Sequence, residues 1–402
     1  MKSVLLDRLK ASPLGARGDY GWGLTGAYGE RYEPESRQEF VDAYFDRVWT
    51  HRCIELIATS MTQVRMQVRI GKEWTDEHRL IDLLQRPNPR DPAQMFFEWT
   101  GRWAEILGEW QWEIVPARDG GIAQLFPLRS HLVRIKPDDR GRVGGYLYDP
   151  HETGTDVIEY SAVDPDRPSR VKDGQKPIVI AGRYANPKDD FYGMGPLRAA
   201  KDDIISEYYG VRYDHRFFRN SGRPDIVIGF KGKLDTDQRK ANKEEWQQFK
   251  GVDNAHRAAV MDGEPDITKL SETQKDVEYL EGRRLSREGQ CAAFGVPPVL
   301  VGDMTRATYS NFENAEPIFW KITMLPKLSF FATWANFVLL PFFPDVDEFG
   351  FDVSEIPALA RAEGWRSERI IGEVSGGVRT PDEGRDALGL EPVGEPAAEQ
   401  LY

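Results

Sequence analysis

The chain has 402 residues, 40% hydrophobic and 29% charged, the balance of an ordinary folded chain rather than a disordered one. Its 53 Lys and Arg against 65 Asp and Glu leave a net charge of −12. That excludes a surface gripping nucleic acid throughout, because phosphate neutralisation needs clustered cations.

Residues 1–48 read as an arm. MKSVLLDRLKASPLG is too short an apolar run for a secretion signal, and GDYGWGLTGAYGERYEP is Gly-rich and aromatic without periodicity. Residues 48–61 have helical spacing, with Ile54, Ile57, Ala58 and Met61 on one face, and 64–70 alternate as an exposed strand does. Short helices over 80–84 and 92–106 follow, then strand-like runs at 111–115, 123–128 and 132–135, with the β pattern continuing to about residue 180. Residues 49–194 thus form one α+β unit.

A long helix over 195–220 has Pro196 in its first turn and ends at Gly222-Arg-Pro224. Residues 225–230 read as a strand, 235–250 as a helix capped by Asp235, and 258–261 as a strand, giving a small α/β insert. A second long helix, 272–294, opens on the capping box Ser271-Glu-Thr-Gln274 and stops at Gly295 and Pro297-Pro298. The loop Gly302, Asp303, Met304, Thr305, Arg306, Ala307, Thr308 comes next. Ser310-Asn-Phe-Glu313, a further capping box, opens an apolar helix broken by Pro317 and Pro326. Residues 328–343 carry no charge, yet they fall short of the ~18–20 residues a span needs and contain Pro341, so they read as a buried core helix. Residues 349–353 are strand-like, and 354–395 form short helices before a frayed tail.

Catalytic and metal motifs are missing. There is no GxxxxGK[ST] and no GxSxG, and His151-Glu152 has Thr155 where a zincin needs a second histidine. Cys53 and Cys291 stand far apart without CxxC, so each reads as a small buried residue. Asp189-Asp190 and Asp202-Asp203 are adjacent pairs suited to solvent or a helix N-terminus, and Gly193-Met-Gly195 is a structural turn. One enzyme reading survives: EWQWEIV, with Trp110 and Trp112 lining a carbohydrate cleft and Glu109 and Glu113 as acids, although that spacing is too close for an inverting pair.

Arg212, Arg216 and Arg219, prolonged by Arg223, form a basic stripe beside Tyr209, Tyr213 and Phe217. Arginines interleaved with aromatics suit a nucleic-acid groove. The favoured alternative pairs them with Glu278, Glu281 and Glu288 of the helix 272–294 across a subunit boundary.

Six stretches stand in a familiar order: HRCIELIATSM from residue 51, LLQRPNPRDP from 83, YGMGPLRAA from 192, KGVDNAHRAAVMDG from 250, FGVPPVLVGD with TYSNFENA and LPKL between 294 and 328, and TPDEGRDALGLEPV from 380. Together they resemble the portal proteins of tailed bacteriophages, of the lambda-like siphovirus type. The resemblance implies an α+β portal fold: arm 1–48, wing 49–194, stem helix 195–222, clip 223–268, stem helix 269–294, tunnel-loop region 295–311, kinked wing helix and strand 312–353, and a helical crown with tail 354–402. It also implies a non-enzymatic ring of twelve copies at a capsid vertex, without cofactor, metal or membrane. Its implied partners are double-stranded DNA held weakly, terminase, the head–tail connector and the major capsid protein. Residues 302–308 would be the DNA-facing tunnel loop.

Overall fold

The computed structural model describes residues 36–118, 121–138, 142–152, 154, 156–162, 177–220, 226–230, 265–269, 274–304, 309–388, 390–391 and 393. They fall into two compact units, Ser36–Arg198 with Cys291–Tyr402, and Ala199–Gln290.

In the first unit the chain becomes helical earlier than the sequence reading has it. Helix α1 (Arg37–Asp46) lies inside the expected arm, opened by a capping box in which Ser36 and Glu39 satisfy each other's backbone N–H. Helix α2 (Val48–Ser60) buries Cys53, Ile54, Ile57 and Ala58, matching the face expected of it apart from Met61. Strands β1 (Arg65–Ile70) and β2 (Glu73–Thr75) make a hairpin. Helix α3 (Arg79–Gln85) is capped by the His78 imidazole, and α4 (Ala93–Leu107) ends at Gly108 in the left-handed region.

The six-stranded sheet comprises β3 (Glu109–Pro116), β4 (Ile122–Pro127), β5 (Val133–Pro137), β6 (Val143–Tyr148), β7 (Ile158–Ala162) and β8 (Ile178–Arg183), in the order β4-β3-β8-β7-β6-β5. All pairs are antiparallel except β7 with β8. Helix α5 (Pro196–Ala199) is one turn long, and a break at Ala200 separates it from α6 (Lys201–Asn220), so the expected single helix is two.

The second unit contains α6, the antiparallel pair β9 (Ile226–Phe230) and β10 (Pro265–Lys269), and most of α7 (Gln274–Phe294). Strand β10 was not foreseen, and the expected helix 235–250 and strand 258–261 lie outside the described residues.

Beyond α7 the chain rejoins the first unit. Helix α8 (Tyr309–Ile318) begins before Ser310, the residue expected to cap it. Neither proline breaks the helix. Instead a π turn (Phe319–Met324) joins α8 to α9 (Leu325–Leu339), and the Leu325 N–H donates to the Trp320 carbonyl five residues back. Pro326 has no N–H to continue the α pattern, and the added residue accommodates its ring. Strand β11 (Glu348–Asp352) completes the order β11-β1-β2, and the Asn336 amide bonds both backbone groups of Phe349. Helix α10 (Pro357–Ser375) runs through Gly364 where two short helices were expected, since one glycine costs only about 1 kcal/mol. Helix α11 (Pro381–Ala387) has a Thr380/Glu383 capping box.

An aromatic cluster joins α4, β3 and α9. The Trp112 ring lies 4.7 Å from Phe96 and 4.9 Å from Trp334, and Trp110 lies 5.1 Å from Trp334. Trp112 Nε1 donates to Thr100 Oγ1 and Trp334 Nε1 to the Ala181 carbonyl, each at 3.0 Å, while the buried Trp110 Nε1 has no hydrogen-bond partner among the described residues.

Candidate functional site

The segment after α7 is anchored where it leaves the helix. Phe294 and Val296 are buried on either side of Gly295, whose φ of 67° lies in the left-handed region. Thr323 of the π turn donates its hydroxyl to the Gly295 carbonyl, and a Cβ on Gly295 would meet that hydroxyl at 2.8 Å. A short turn, Pro298–Val301, buries Val301, and the Asp303 N–H returns to the Pro298 carbonyl at 3.0 Å. Gly302 is again left-handed, at 101°, and Met304 stands 56% exposed. Thr305, Arg306, Ala307 and Thr308 lie outside the described residues. Tyr309 then begins α8.

In the second unit, α6 and α7 exchange polar contacts. Arg283 pairs with Asp214 at 2.8 Å, and Gln290 Nε2 donates to Glu207 Oε2 at 2.8 Å. Asp203 packs where any side chain on Gly289 would stand, and burial raises its carboxyl above the ordinary range, with Asp202 adding to it. Arg212 donates to the Tyr208 hydroxyl with its guanidinium 5.2 Å from that ring centre. Glu288 pairs with Arg284 of its own helix at 3.3 Å. The side chains of Arg216, Arg219, Glu278 and Glu281, and all of Arg223, lie outside the described residues.

The enzyme reading fails on burial. Trp112 is fully buried and Trp110 is 2% exposed, both inside the aromatic cluster, so neither lines a cleft. Glu109 is buried in an ion pair with Arg37 at 2.5 Å and accepts the Gly193 N–H at 3.1 Å. Glu113 accepts the Tyr160 hydroxyl, and burial raises its carboxyl above the usual range. No group of three metal-ligating side chains occurs among the described residues.

Comparison with known proteins decides the family. The model of the family described as "Phage portal protein" matches residues 49–389. The chain belongs to the phage portal proteins. The portal chain is 25% identical over 311 residues to the portal protein of Enterobacteria phage HK97, covering 75% of this chain and 67% of that one. Its fold matches a chain in the neck of an empty GTA particle computed with C6 symmetry, with a TM-score of 0.66, 23% identity, and coverage of 92% and 98%. A chain in the neck of a native GTA particle computed with C12 symmetry matches at 0.62, with 24% identity and coverage of 91% and 97%.

Three features of this portal chain escaped the sequence reading. Arg37 and Glu109 clamp α1 to β3, and the SxxE at Ser36 was the available signal. Cys53 and Cys291 touch. The apolar run expected to be a buried core helix is buried on one face only. Leu328, Phe331, Trp334, Ala335 and Leu339 face the core, while Ile318, Ile322, Pro326, Phe330, Thr333 and Phe337 follow each other at helical spacing on the exposed side. Ile322 is 67% exposed and Phe337 75%. By length and composition alone, Glu313–Phe342 passes as a membrane span, although a third of its most apolar stretch is buried.

Proposed function

We propose that this portal protein assembles head-to-tail into a closed ring, of twelve copies, at one vertex of a viral capsid, and is carried in the finished particle after assembly in the host cytoplasm. The family match over residues 49–389 carries the reading. In it, 49–194 with 312–353 is the wing, 195–222 and 269–294 are the stem helices, 223–268 is the clip, and 354–402 holds the crown. Residues 302–308 converge on the axis as a tunnel loop, with Arg306 as the loop's only cation. The net charge of −12 suits a channel wall that repels phosphate, so double-stranded DNA passes with low friction and brief contacts. Terminase docks on the clip during packaging, the head–tail connector afterwards, and the major capsid protein surrounds the ring. The role is mechanical and electrostatic rather than enzymatic.

The exposed apolar face of α8 and α9 supports ring contacts. From Ile318 to Phe337 it runs about 28 Å at 1.5 Å per residue, with Ile322 and Phe337 largely exposed along it. Light scattering and negative-stain microscopy of the purified protein test the proposal. Rings with a central hole are expected, and the double variant Ile322→Glu with Phe337→Glu gives folded chains that do not close. A folded wild-type monomer at every concentration refutes the ring. Insertion of the wild-type helix into vesicles would instead assign this face to a membrane.

A further inference from the structure

We propose that Cys53 and Cys291, the chain's only cysteines, form a latent disulfide site: a dithiol in a reducing compartment that closes into an intramolecular staple on meeting a small disulfide oxidant. The sulfurs stand 3.9 Å apart and both residues are buried, although 238 positions separate them. That contact leaves a gap of about 2 Å to the S–S bond length of ~2.05 Å, which closure must cover by rotation about the two Cα–Cβ bonds. Cys53 sits mid-way along α2, and Cys291 in the last turn of α7, four residues before Gly295. A bond between them therefore ties the base of the loop 302–308 to the helix packed on α4.

The chemistry is thiol–disulfide exchange. One thiolate attacks a sulfur of the oxidant and releases one small thiol. The second thiolate then attacks the mixed disulfide, releasing another. Two thiols of the chain lose two protons and two electrons, and one small disulfide becomes two thiols. Hydrogen bonding to Cys291 and burial push the Cys53 thiol up, so the pair is inert while the fold stays closed and reacts through local opening. Beyond the small disulfide, the reaction needs only this chain. Its occasion, passage of a released particle out of a reducing cytoplasm, rests on the proposed function.

The test uses the purified full chain with oxidised glutathione, in native buffer and in a guanidinium series below the unfolding midpoint, so that access to the thiols is not limiting. Samples are then denatured, alkylated, mapped without reductant and melted. Expected results are the loss of both alkylatable thiols, a peptide joining residues 53 and 291, and a melting temperature raised by about 10 °C, as closing so long a loop predicts. Reductant reverses all three, and Cys53→Ala and Cys291→Ala each abolish the rise. Thiols that stay alkylatable throughout the series overturn the proposal. So do cross-links formed only between chains, or an intramolecular bond that leaves melting unchanged or lower. A monomeric protein that still closes the bond would sink the ring and leave this site standing.

Discussion

Replacing Gly295 with alanine tests whether the loop 302–308 is held from its base. At φ 67° a side chain costs roughly 1–2 kcal/mol. The added methyl would sit 2.8 Å from Thr323 Oγ1 and displace the hydroxyl that bonds the Gly295 carbonyl. Losing that bond costs a further ~0.5–1.5 kcal/mol. The two terms share atoms, so together they give about 2–3 kcal/mol, or a melting temperature lowered by roughly 5–10 °C in a unit of this size. Thr323→Ala alone removes the hydrogen bond, and combined with Gly295→Ala it also removes the clash while keeping the backbone strain, so the double variant should lose less than the sum of the single losses. Calorimetry of all three reads the stability, and the DNA content of heads from a complementation system reads the function. If Gly295→Ala melts within about a degree of wild type, the anchoring argument is wrong.

Arg306→Ala should leave rings intact and change only packaging rate or DNA retention, because a single arginine–phosphate contact screened by salt is weak. Deleting residues 304–307 should give heads that fail to fill or that leak, and full infectious heads would free this loop of any part in DNA passage. Arg216→Glu should weaken rings, with Glu281→Arg in the same chain partly restoring them; lost DNA retention in intact rings without rescue would favour a DNA groove. His131 stacks on Trp103 with ring centres 5.1 Å apart, and burial, with Arg129 and Arg37 adding to it, pushes its pKa down to about 4. The neutral ring is the folded form, so the unfolded chain binds the extra proton below about pH 6.5 and stability falls as pH drops from there toward 4, by on the order of 3 kcal/mol. His131→Phe should lose that part of the acid sensitivity, as read by guanidinium denaturation at pH 7 and pH 4.5; equal losses in both proteins would contradict it.

Periodicity made the helices of the wing readable, because the apolar face of residues 48–60 repeats at helical spacing. Strand pairing was not readable. β1 finds β11 some 280 residues later, and nothing local encodes that register. Side-chain hydrophobicity also cannot say which side of a helix the core will take, so the run from 328 to 343 read as buried throughout while Phe337 faces out. At the loop, Gly295 and the two prolines announced the stop, but Thr323, which fixes it, carried no sign of its role because its partner is a backbone carbonyl 28 residues away. The contact between Cys53 and Cys291 was hidden for the same reason.

The π turn between α8 and α9 sets the rotational phase of one helix against the other. Removing one residue from Phe319–Met324 would restore a plain α-helix, turning α9 by about 100° and drawing it back by roughly 1.5 Å relative to α8. Trp334 and Phe331 would swing out of the aromatic cluster as Phe330 and Phe337 swung toward it, and Thr323 would leave Gly295. A single-codon loss here therefore acts as a gear slipped by one tooth, and this helix tolerates exchange of its side chains far better than any change in its length.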